Sequence, residues 1–362
     1  MRRLGHTVAR LAEAGRRQER PSSGGRLLPF DVSGPNPGAL DAFAFMPDEP
    51  AGAGLVVVLH GCTQTADGYD QGAGWSRHAE SEGFAVLYPQ QRRANNPGLC
   101  FNWFSPEDTA RNRGEAASIA AMIVAMVRDH GLDPSRVFIT GLSAGGAMSA
   151  TLLALYPELF AGGAVIAGLP HGAAASMRQA LEAMRGLGPA PNAGGIRKAT
   201  PDVTRWPRIS IIHGSGDQTV NVANADRLLS QWLDFHGLRA GPDRDVATGR
   251  RRHRQWTDEA GEVRVEDLRI EAMGHGTPLD LANDPLGVAG PFMLDVGFSS
   301  TAWLIEAWGL SHDPDRPRAP AEPAQTLDAK PAPRAPGSPM AGSTAGIQAV
   351  IETALRKAGL LP

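Results

Sequence analysis

The segment Gly141-Leu142-Ser143-Ala144-Gly145 decides the fold class of this chain. It follows the β-branched and aromatic run 136–140 and precedes the small, helix-compatible residues 146–154. A strand, a tight turn with glycine on both sides of a serine, and a helix form the context in which a G-x-S-x-G motif presents a nucleophile. Side chains at the glycine positions would crowd the neighbouring strand or helix. The alternative interpretation is an ordinary glycine-rich turn between a strand and a helix.

A serine nucleophile of this type requires an acidic residue and then a histidine later in the chain. Asp217 lies in a glycine-rich turn after the apolar stretch 208–213, and His275 lies between two glycines after the strand-like stretch 263–272. Both residues should lie at the carboxyl ends of parallel strands, where such sheets bind ligands. The sequence therefore predicts that Ser143, Asp217 and His275 form a catalytic triad.

Both partners of the serine have alternatives. Asp217 has the alternative of a turn or helix-capping residue. Asp226 and Asp234 are rival acids, but they fall in a helix-like stretch and are expected to be solvated. His213 is a rival base, but it precedes the acid in the chain, so we expect it to pack beneath the site. For His275 the alternative is an ordinary loop histidine.

The apolar run 54–59 leads directly into His60-Gly61-Cys62. A continuous apolar run is typical of a central parallel strand that is buried on both faces. In enzymes with this serine motif, the turn after that strand supplies one oxyanion-hole N–H group, and the residue after the nucleophile supplies the other. The candidates are the backbone N–H groups of Cys62 and Ala144. The alternative for the His-Gly pair is a plain strand-ending turn.

Strand-like and helix-like runs alternate through the middle of the chain. The strand-like runs are 55–60, 84–88, 137–140, 163–166, 208–213 and 263–272, and the helix-like runs are 73–82, 115–129, 146–155, 174–187, 222–236 and 299–308. This alternation predicts an α/β fold with a doubly wound, mostly parallel sheet flanked by helices. Together with the serine motif it indicates the α/β-hydrolase fold.

Seven sequence blocks support a family resemblance. They are LHGCTQ at 59–64, GFAVLYP at 83–89, CFNWF at 100–104, GLSAGGAM at 141–148, AGLPHGA at 167–173, HGSGDQTV at 213–220 and MGHGTPL at 273–279. In this order, they resemble the polyhydroxybutyrate depolymerase-type esterases of the α/β-hydrolase superfamily. The resemblance implies an ester of a secondary alcohol or a sugar as the substrate. Members of the family hydrolyse short-chain hydroxyalkanoate polyesters, and relatives cleave acetyl or feruloyl esters of plant polysaccharides.

The resemblance also assigns residues. It maps the triad to the same three positions and matches Cys62 to the oxyanion position of the family. Trp103 matches an aromatic residue at the mouth of the site, and His60, Asn102 and Trp103 are the predicted substrate-binding residues. The resemblance favours a disulfide between Cys62 and Cys100, whereas the sequence alone equally permits two buried thiols.

The composition agrees with an enzyme. The chain has 362 residues, of which 42% are hydrophobic, and a net charge of −3, so it can bury a sizeable core and no nucleic-acid partner is expected. No run of about 18 apolar residues occurs, so no transmembrane helix is expected. The basic cluster 250–254 predicts an exposed hairpin or insertion, with binding of an anionic partner as the alternative. No metal or organic cofactor is implied, because zinc-site spacings, a P-loop and a dinucleotide motif are missing.

Four segments are predicted along the chain. They are an Arg-rich flexible N-terminal segment (1–28), the catalytic domain (29–311), a Pro/Ala-rich linker (312–344) and a short amphipathic C-terminal helix (345–362). The C-terminal helix is a candidate contact for a polymer granule or a protein partner, and the alternatives are docking on the catalytic domain or fraying. Residues 1–28 lack the apolar segment of a Sec-type signal peptide, which favours the cytoplasm, whereas the family resemblance favours an extracellular location.

The predicted function is that of a serine esterase that works through an acyl-enzyme. The expected substrates are polymers or oligomers of short-chain hydroxyalkanoates, in particular 3-hydroxybutyrate. One alternative is an acetyl or feruloyl esterase that acts on polysaccharide side groups. A second alternative is a non-catalytic binding protein with a hydrolase fold, and the complete triad argues against it.

Overall fold

The computed structural model describes residues 25–31, 34–188, 193–194, 197, 203 and 206–311. Its helices are α1 (Ala66–Ala73), α2 (Trp75–Glu82), α3 (Gly114–His130), α4 (Ala144–Leu155), α5 (Met177–Met184), α6 (Ala223–His236) and α7 (Ser300–Ala307), with short 3-10 turns at Pro134–Arg136 and Pro157–Leu159. Its strands are β1 (Leu28–Pro29), β2 (Asp41–Phe45), β3 (Leu55–Leu59), β4 (Ala85–Gln90), β5 (Val137–Leu142), β6 (Gly162–Ile166), β7 (Arg208–Gly214), β8 (Arg244–Thr248), β9 (Arg251–Thr257), β10 (Val263–Ile270), β11 (Thr277–Leu279) and β12 (Met293–Asp295).

Ten of the described strands form one large sheet with the order β1-β2-β4-β3-β5-β6-β7-β10-β9-β8. Strands β4, β3, β5, β6, β7 and β10 run parallel to one another, and the outer strands on both sides pair antiparallel. Strands β11 and β12 form a separate parallel pair. The mostly parallel sheet that the sequence predicts is confirmed.

The core lies in two layers, one on each face of the sheet. In β3, Leu55, Val57 and Leu59 belong to the first layer, whereas Val56 and Val58 belong to the second. Helices α3, α4 and α6 contribute buried side chains to the first layer, and α1, α2 and α7 contribute to the second. Because both faces are covered, the central strands can be apolar throughout.

Two features of the elements differ from the sequence-based expectation. The helix expected at 73–82 is present as α2, which begins at Trp75, and a further helix that was not expected, α1, precedes it and is separated from it by Gly74, which has a φ of 76°. The antiparallel strands β1 and β2 were not expected, whereas β8 and β9 form the hairpin that the basic cluster 250–254 predicts. Strand β8 is fully exposed and polar at the sheet edge, so it has none of the apolar alternation that marks a half-buried strand.

The basic cluster 250–254 lies on the edge hairpin formed by β8 and β9. Arg252 forms an ion pair with Asp245 at 2.6 Å, and Arg254 forms one with Asp267 at 2.7 Å. These carboxylates neutralise much of the cluster within the protein itself.

Some predictions fall outside the described residues. They concern the linker 312–344, the C-terminal helix 345–362 and most of the N-terminal segment 1–28. Within the described ranges, no helix has both the length and the apolar character that a bilayer crossing requires.

Candidate active site

Ser143 lies at the sharp turn between β5 and α4. Its backbone has φ 58° and ψ −117°, a conformation that non-glycine residues rarely adopt. Its N–H donates a 2.9 Å hydrogen bond to the Ile166 carbonyl of the adjacent strand β6. A Cβ atom at Gly141 would lie 2.5 Å from the Gly145 carbonyl, and one at Gly145 would lie 2.2 Å from the Leu59 carbonyl oxygen. Only glycine fits both positions, and this tight packing holds the serine in its strained conformation.

Asp217 and His275 follow two adjacent parallel strands, β7 and β10. The Nδ1 atom of His275 lies 2.7 Å from Oδ2 of Asp217. The other carboxylate oxygen accepts 2.8 Å hydrogen bonds from the N–H groups of Thr219 and Val220. Burial acts to raise the pKa of Asp217, but hydrogen bonds from His213 and His275 outweigh it and hold the pKa well below its usual range. The carboxylate is therefore ionised and orients the imidazole.

His213 contacts the same carboxylate from within β7. Its side chain is fully buried, and its Nε2 atom lies 2.9 Å from the Val220 carbonyl oxygen and 3.3 Å from Oδ2 of Asp217. Among the described residues, its Nδ1 atom has no hydrogen-bond partner. The proton therefore sits on Nε2, from which it is donated to the Val220 carbonyl and the Asp217 carboxylate. His213 lies beneath the acid and does not line the cavity above it.

Ser143 and His275 line the same cavity, which has a volume of about 100 Å³. Its described walls come from the loop after β3, the loop 96–104, helix α5 and Phe292. Most of these walls are apolar side chains, including Trp103 and Phe104. The ring of Phe292 lies 6.0 Å from the ring of His275 in an edge-to-face arrangement. The serine and the histidine therefore face the same small apolar cavity, which is suited to an uncharged carbonyl compound.

The turn after β3 leaves one N–H group available beside this cavity. The N–H of Gly61 donates to Oε1 of Gln64 at 2.8 Å, and the N–H of Thr63 donates to the Gly98 carbonyl at 2.7 Å. Within the described part of the chain, the N–H groups of Cys62 and Ala144 have no protein acceptor. Ala144 is the first residue of α4, so its N–H group cannot be used within the helix. Both groups remain available to an oxyanion.

A disulfide joins Cys62 and Cys100, whose Cα atoms are 4.2 Å apart. It links the turn after β3 to the loop 96–104, and both cysteines line the cavity. This is the pairing that the family resemblance implies. The disulfide restrains one wall of the cavity together with the N–H group of Cys62.

The structure corrects the substrate-binding prediction for His60. Its side chain is 0% exposed, its Nδ1–H donates to the Gly61 carbonyl at 2.8 Å, and its Nε2 accepts the Gln91 N–H at 3.2 Å. Burial lowers the pKa of His60 to about 4, against a smaller opposing effect of the bond to Gly61, so the ring is neutral. Both ring nitrogens are engaged inside the protein, and none reaches a substrate.

The substrate-binding prediction for Asn102 is corrected as well, because this residue does not line the cavity, whereas Trp103 does. The Asn102 amide donates to Glu115 at 2.8 Å and accepts from Asn96 at 2.9 Å, so it supports the loop 96–104 from behind. Glu115 also accepts hydrogen bonds from the Asn102 N–H and from Gln91. Burial, reinforced by the charge of Asp108, raises the pKa of Glu115 to about 8.

Sequence reasoning missed the contribution of α5 and of Phe292. The cavity is lined from α5 by Met177, Ala180, Leu181 and Met184, and Ala183 of the same helix is buried. The run 174–187 was expected to be helical, and its apolar spacing was the available signal. That spacing does not reveal whether the apolar face packs on the core or borders a cavity.

The family model described as esterase PHB depolymerase matches residues 44–262. The chain belongs to this family. It is 42% identical over 290 residues to poly(3-hydroxyalkanoate) depolymerase C of Paucimonas lemoignei, covering 76% of this chain and 68% of that protein. It is 30% identical over 272 residues to an acetylxylan esterase of Coprinopsis cinerea, covering 70% of each.

The solved structures give a consistent result. The acetyl xylan esterase from Aspergillus awamori superimposes with a TM-score of 0.66 and 25% sequence identity, covering 79% of this chain and 99% of that one. The protein is therefore a carboxylic ester hydrolase with the α/β-hydrolase fold.

Proposed function

We propose that this esterase hydrolyses short-chain hydroxyalkanoate esters, as polymers or oligomers of 3-hydroxybutyrate, with Ser143 as the nucleophile. The observation that carries the proposal is a small apolar cavity in which a strained serine meets a histidine already oriented by an ionised aspartate. An apolar cavity suits an alkyl-bearing acyl group, since its walls offer dispersion contacts to methyl groups.

In this mechanism Ser143 Oγ attacks the ester carbonyl, and His275 accepts its proton. His275 then donates the proton to the leaving alkoxide, so the alcohol departs and an acyl-enzyme remains. Water activated by the same imidazole releases the acid. The N–H groups of Cys62 and Ala144 hold the negative oxygen in both steps, and each such donor is worth about 2.7–4 kcal/mol in rate.

The relatives support the choice of substrate. The relative named poly(3-hydroxyalkanoate) depolymerase C is more similar in sequence than the acetylxylan esterase of Coprinopsis cinerea, at 42% against 30% identity. The second candidate is deacetylation of a polysaccharide, which the superposition on an acetyl xylan esterase over 99% of its length favours. Both reactions use the same serine chemistry and differ in the acyl group that the serine carries and in the alcohol that leaves.

A comparison of substrates tests the proposal. Wild-type protein and Ser143→Ala are assayed on a 3-hydroxybutyrate oligomer and on acetylated xylan, and folding is checked by circular dichroism. We expect wild type to cleave the oligomer with a higher kcat/KM than the xylan acetyl group, and Ser143→Ala to lose at least about 10⁴-fold in kcat. Preferential release of acetate from xylan would support the second candidate.

The proposed roles of the chain termini rest on sequence alone. We propose that 29–311 is the catalytic domain and that 345–362 contacts a polymer granule or a protein partner. Deletion of 312–362 should leave hydrolysis of soluble esters intact and reduce co-sedimentation with polymer granules. Unchanged sedimentation would rule out the granule contact.

A further inference from the structure

We infer that one face of helix α5 sets the length of the acyl group that the enzyme accepts. Met177, Leu181 and Met184 of this helix line the cavity that holds Ser143 and His275. The inference rests on the proposed function and adds a specificity determinant to it.

The position of α5 relative to the reacting groups identifies what it would contact. His275 must deliver a proton to the leaving oxygen, so the alcohol part of the ester lies on the His275 side, next to Phe292. Met184 of α5 packs against an apolar cluster of buried residues. This cluster contains Trp103 and also Ala144, the residue that follows the nucleophile. The acyl part of the ester, which points away from the leaving alcohol, therefore extends between Trp103 and α5.

Helix α5 is a fixed wall because its carboxyl end is bonded to the start of α6. The fully buried Asn224 donates from its side-chain amide to the Ala183 carbonyl at 2.8 Å, and the N–H of Asn221 donates to the Met184 carbonyl at 2.8 Å. Arg227 donates to the carbonyls of Gly186 and Leu187 just beyond the helix. These bonds hold the last turn of α5 against a segment that begins four residues after Asp217.

The size of the cavity makes this wall selective. Its volume of about 100 Å³ is below the roughly 300–1,000 Å³ typical of sites for drug-sized ligands. An acyl chain of four carbons is therefore favoured over one of eight carbons. Leu181 is one of the α5 side chains that line the cavity, and its replacement by alanine would remove three carbon atoms from this wall.

A chain-length comparison tests the inference. The kcat/KM values for p-nitrophenyl butyrate and p-nitrophenyl octanoate are measured for wild type, Leu181→Ala and the control Leu187→Ala. Leu187 is 57% exposed and lies just beyond α5, outside the cavity. We expect the octanoate-to-butyrate ratio to rise about tenfold in Leu181→Ala and to remain at the wild-type value in Leu187→Ala. The ratio does not depend on the fraction of protein that is folded.

The opposite change gives a second, independent test. Leu181→Phe should fill the acyl site and lower the rate on butyrate relative to acetate at least severalfold. A wild-type ratio in both Leu181 variants would overturn the inference while leaving the proposed function intact. A wild-type protein that cleaves these activated esters but not a 3-hydroxybutyrate oligomer would overturn the proposed polyester substrate instead.

Discussion

Asp217 lies between two imidazoles, and only one of them reaches the cavity. His275 contacts Oδ2 from the cavity side at 2.7 Å, and His213 contacts the same oxygen from beneath at 3.3 Å. The second histidine adds a donor to a buried anion and closes the turn through the Val220 carbonyl. We therefore assign His213 a positioning role that acts through Asp217.

Replacement of His213 should reduce activity through this contact. We expect His213→Leu to lower kcat/KM about 10- to 100-fold, because a hydrogen bond to a charged group is worth about 1.5–3 kcal/mol and each 1.36 kcal/mol is tenfold in rate. His213→Gln keeps an N–H donor and should retain most of the activity. The matched control is His78→Leu. His78 lies on α2, outside the cavity, and its Nε2 atom lies 3.1 Å from a carboxylate oxygen of Asp284, so this variant breaks a comparable contact. Equal losses of kcat/KM in His213→Leu and His78→Leu would contradict the positioning role of His213.

Glu115 gives the protein a pH dependence of stability. Burial, with the charge of Asp108 adding to it, raises its pKa to about 8, above the value of about 4.3 in an unfolded chain. The folded state thus favours the protonated carboxyl. The contribution of Glu115 to the free energy of unfolding is fully present below about pH 4.3 and is lost as the pH rises through 8. Glu115→Gln cannot ionise and should show a smaller fall in Tm between pH 5 and pH 9 than wild type.

The control for this measurement is Glu107→Gln, because Glu107 has a side chain that is 79% exposed. Its Tm should fall between pH 5 and pH 9 as much as that of wild type. If the Tm of Glu115→Gln falls by as much as that of wild type, the Glu115 carboxyl does not titrate between pH 5 and pH 9.

At the scale of residues, the sequence predicted which side chains come together but not all of their directions. Ser143, Asp217 and His275 could be placed because each follows a strand in the order that this chemistry requires. His60 could not, since successive residues at a strand end point to opposite faces, and its ring turns into the core. The contact of Asn102 with Glu115 depends on how the loop 96–104 packs on the first turn of α3, and the sequence pattern does not predict the path of that loop.

At the scale of elements, the turn between β5 and α4 depends on close backbone packing. A Cβ atom at Gly145 would overlap the Leu59 carbonyl oxygen of β3, and backbone cannot move aside as a flexible side chain can. We expect Gly145→Ala to lower the free energy of unfolding by about 2–5 kcal/mol in urea denaturation. Gly241→Ala is the control, because its Cβ would meet no atom within 4 Å. Gly241→Ala should change the free energy of unfolding by no more than about 0.5 kcal/mol. Equal losses in Gly145→Ala and Gly241→Ala would show that close backbone packing at Gly145 does not matter for stability.

The elements themselves were predictable to different degrees. The parallel strands were expected within a few residues, because burial on both faces makes β3 continuously apolar and leaves β5 and β6 without charged residues. Helix α1 was missed because it is only eight residues long, and the start of α2 was misplaced by two residues because a single glycine near a helix end is ambiguous. A hairpin was expected at 250–254, but the bounds of its strands were not, because β8 is polar and exposed and its position is determined by pairing with β9.

At the scale of the whole molecule, the sheet brings together residues that are far apart in the chain. Strands β3, β5, β7 and β10 are parallel, so the residues that follow them all meet at one edge of the sheet. The disulfide then joins this edge to the loop 96–104, and α5 closes the cavity on another side. Such closure depends on loops and on a helix whose placement follows from tertiary contacts, so the sequence pattern could not predict the shape of the cavity.

The central claim is that Ser143 forms the acyl-enzyme. The most direct measurement is mass spectrometry after reaction with a fluorophosphonate, which captures an activated serine as a stable covalent adduct. We expect one adduct on the peptide that contains Ser143, loss of the adduct in Ser143→Ala, and retention of it in Ser149→Ala, whose hydroxyl donates to the Gly145 carbonyl in the same helix. An adduct on another serine, or one that survives Ser143→Ala, would contradict the account.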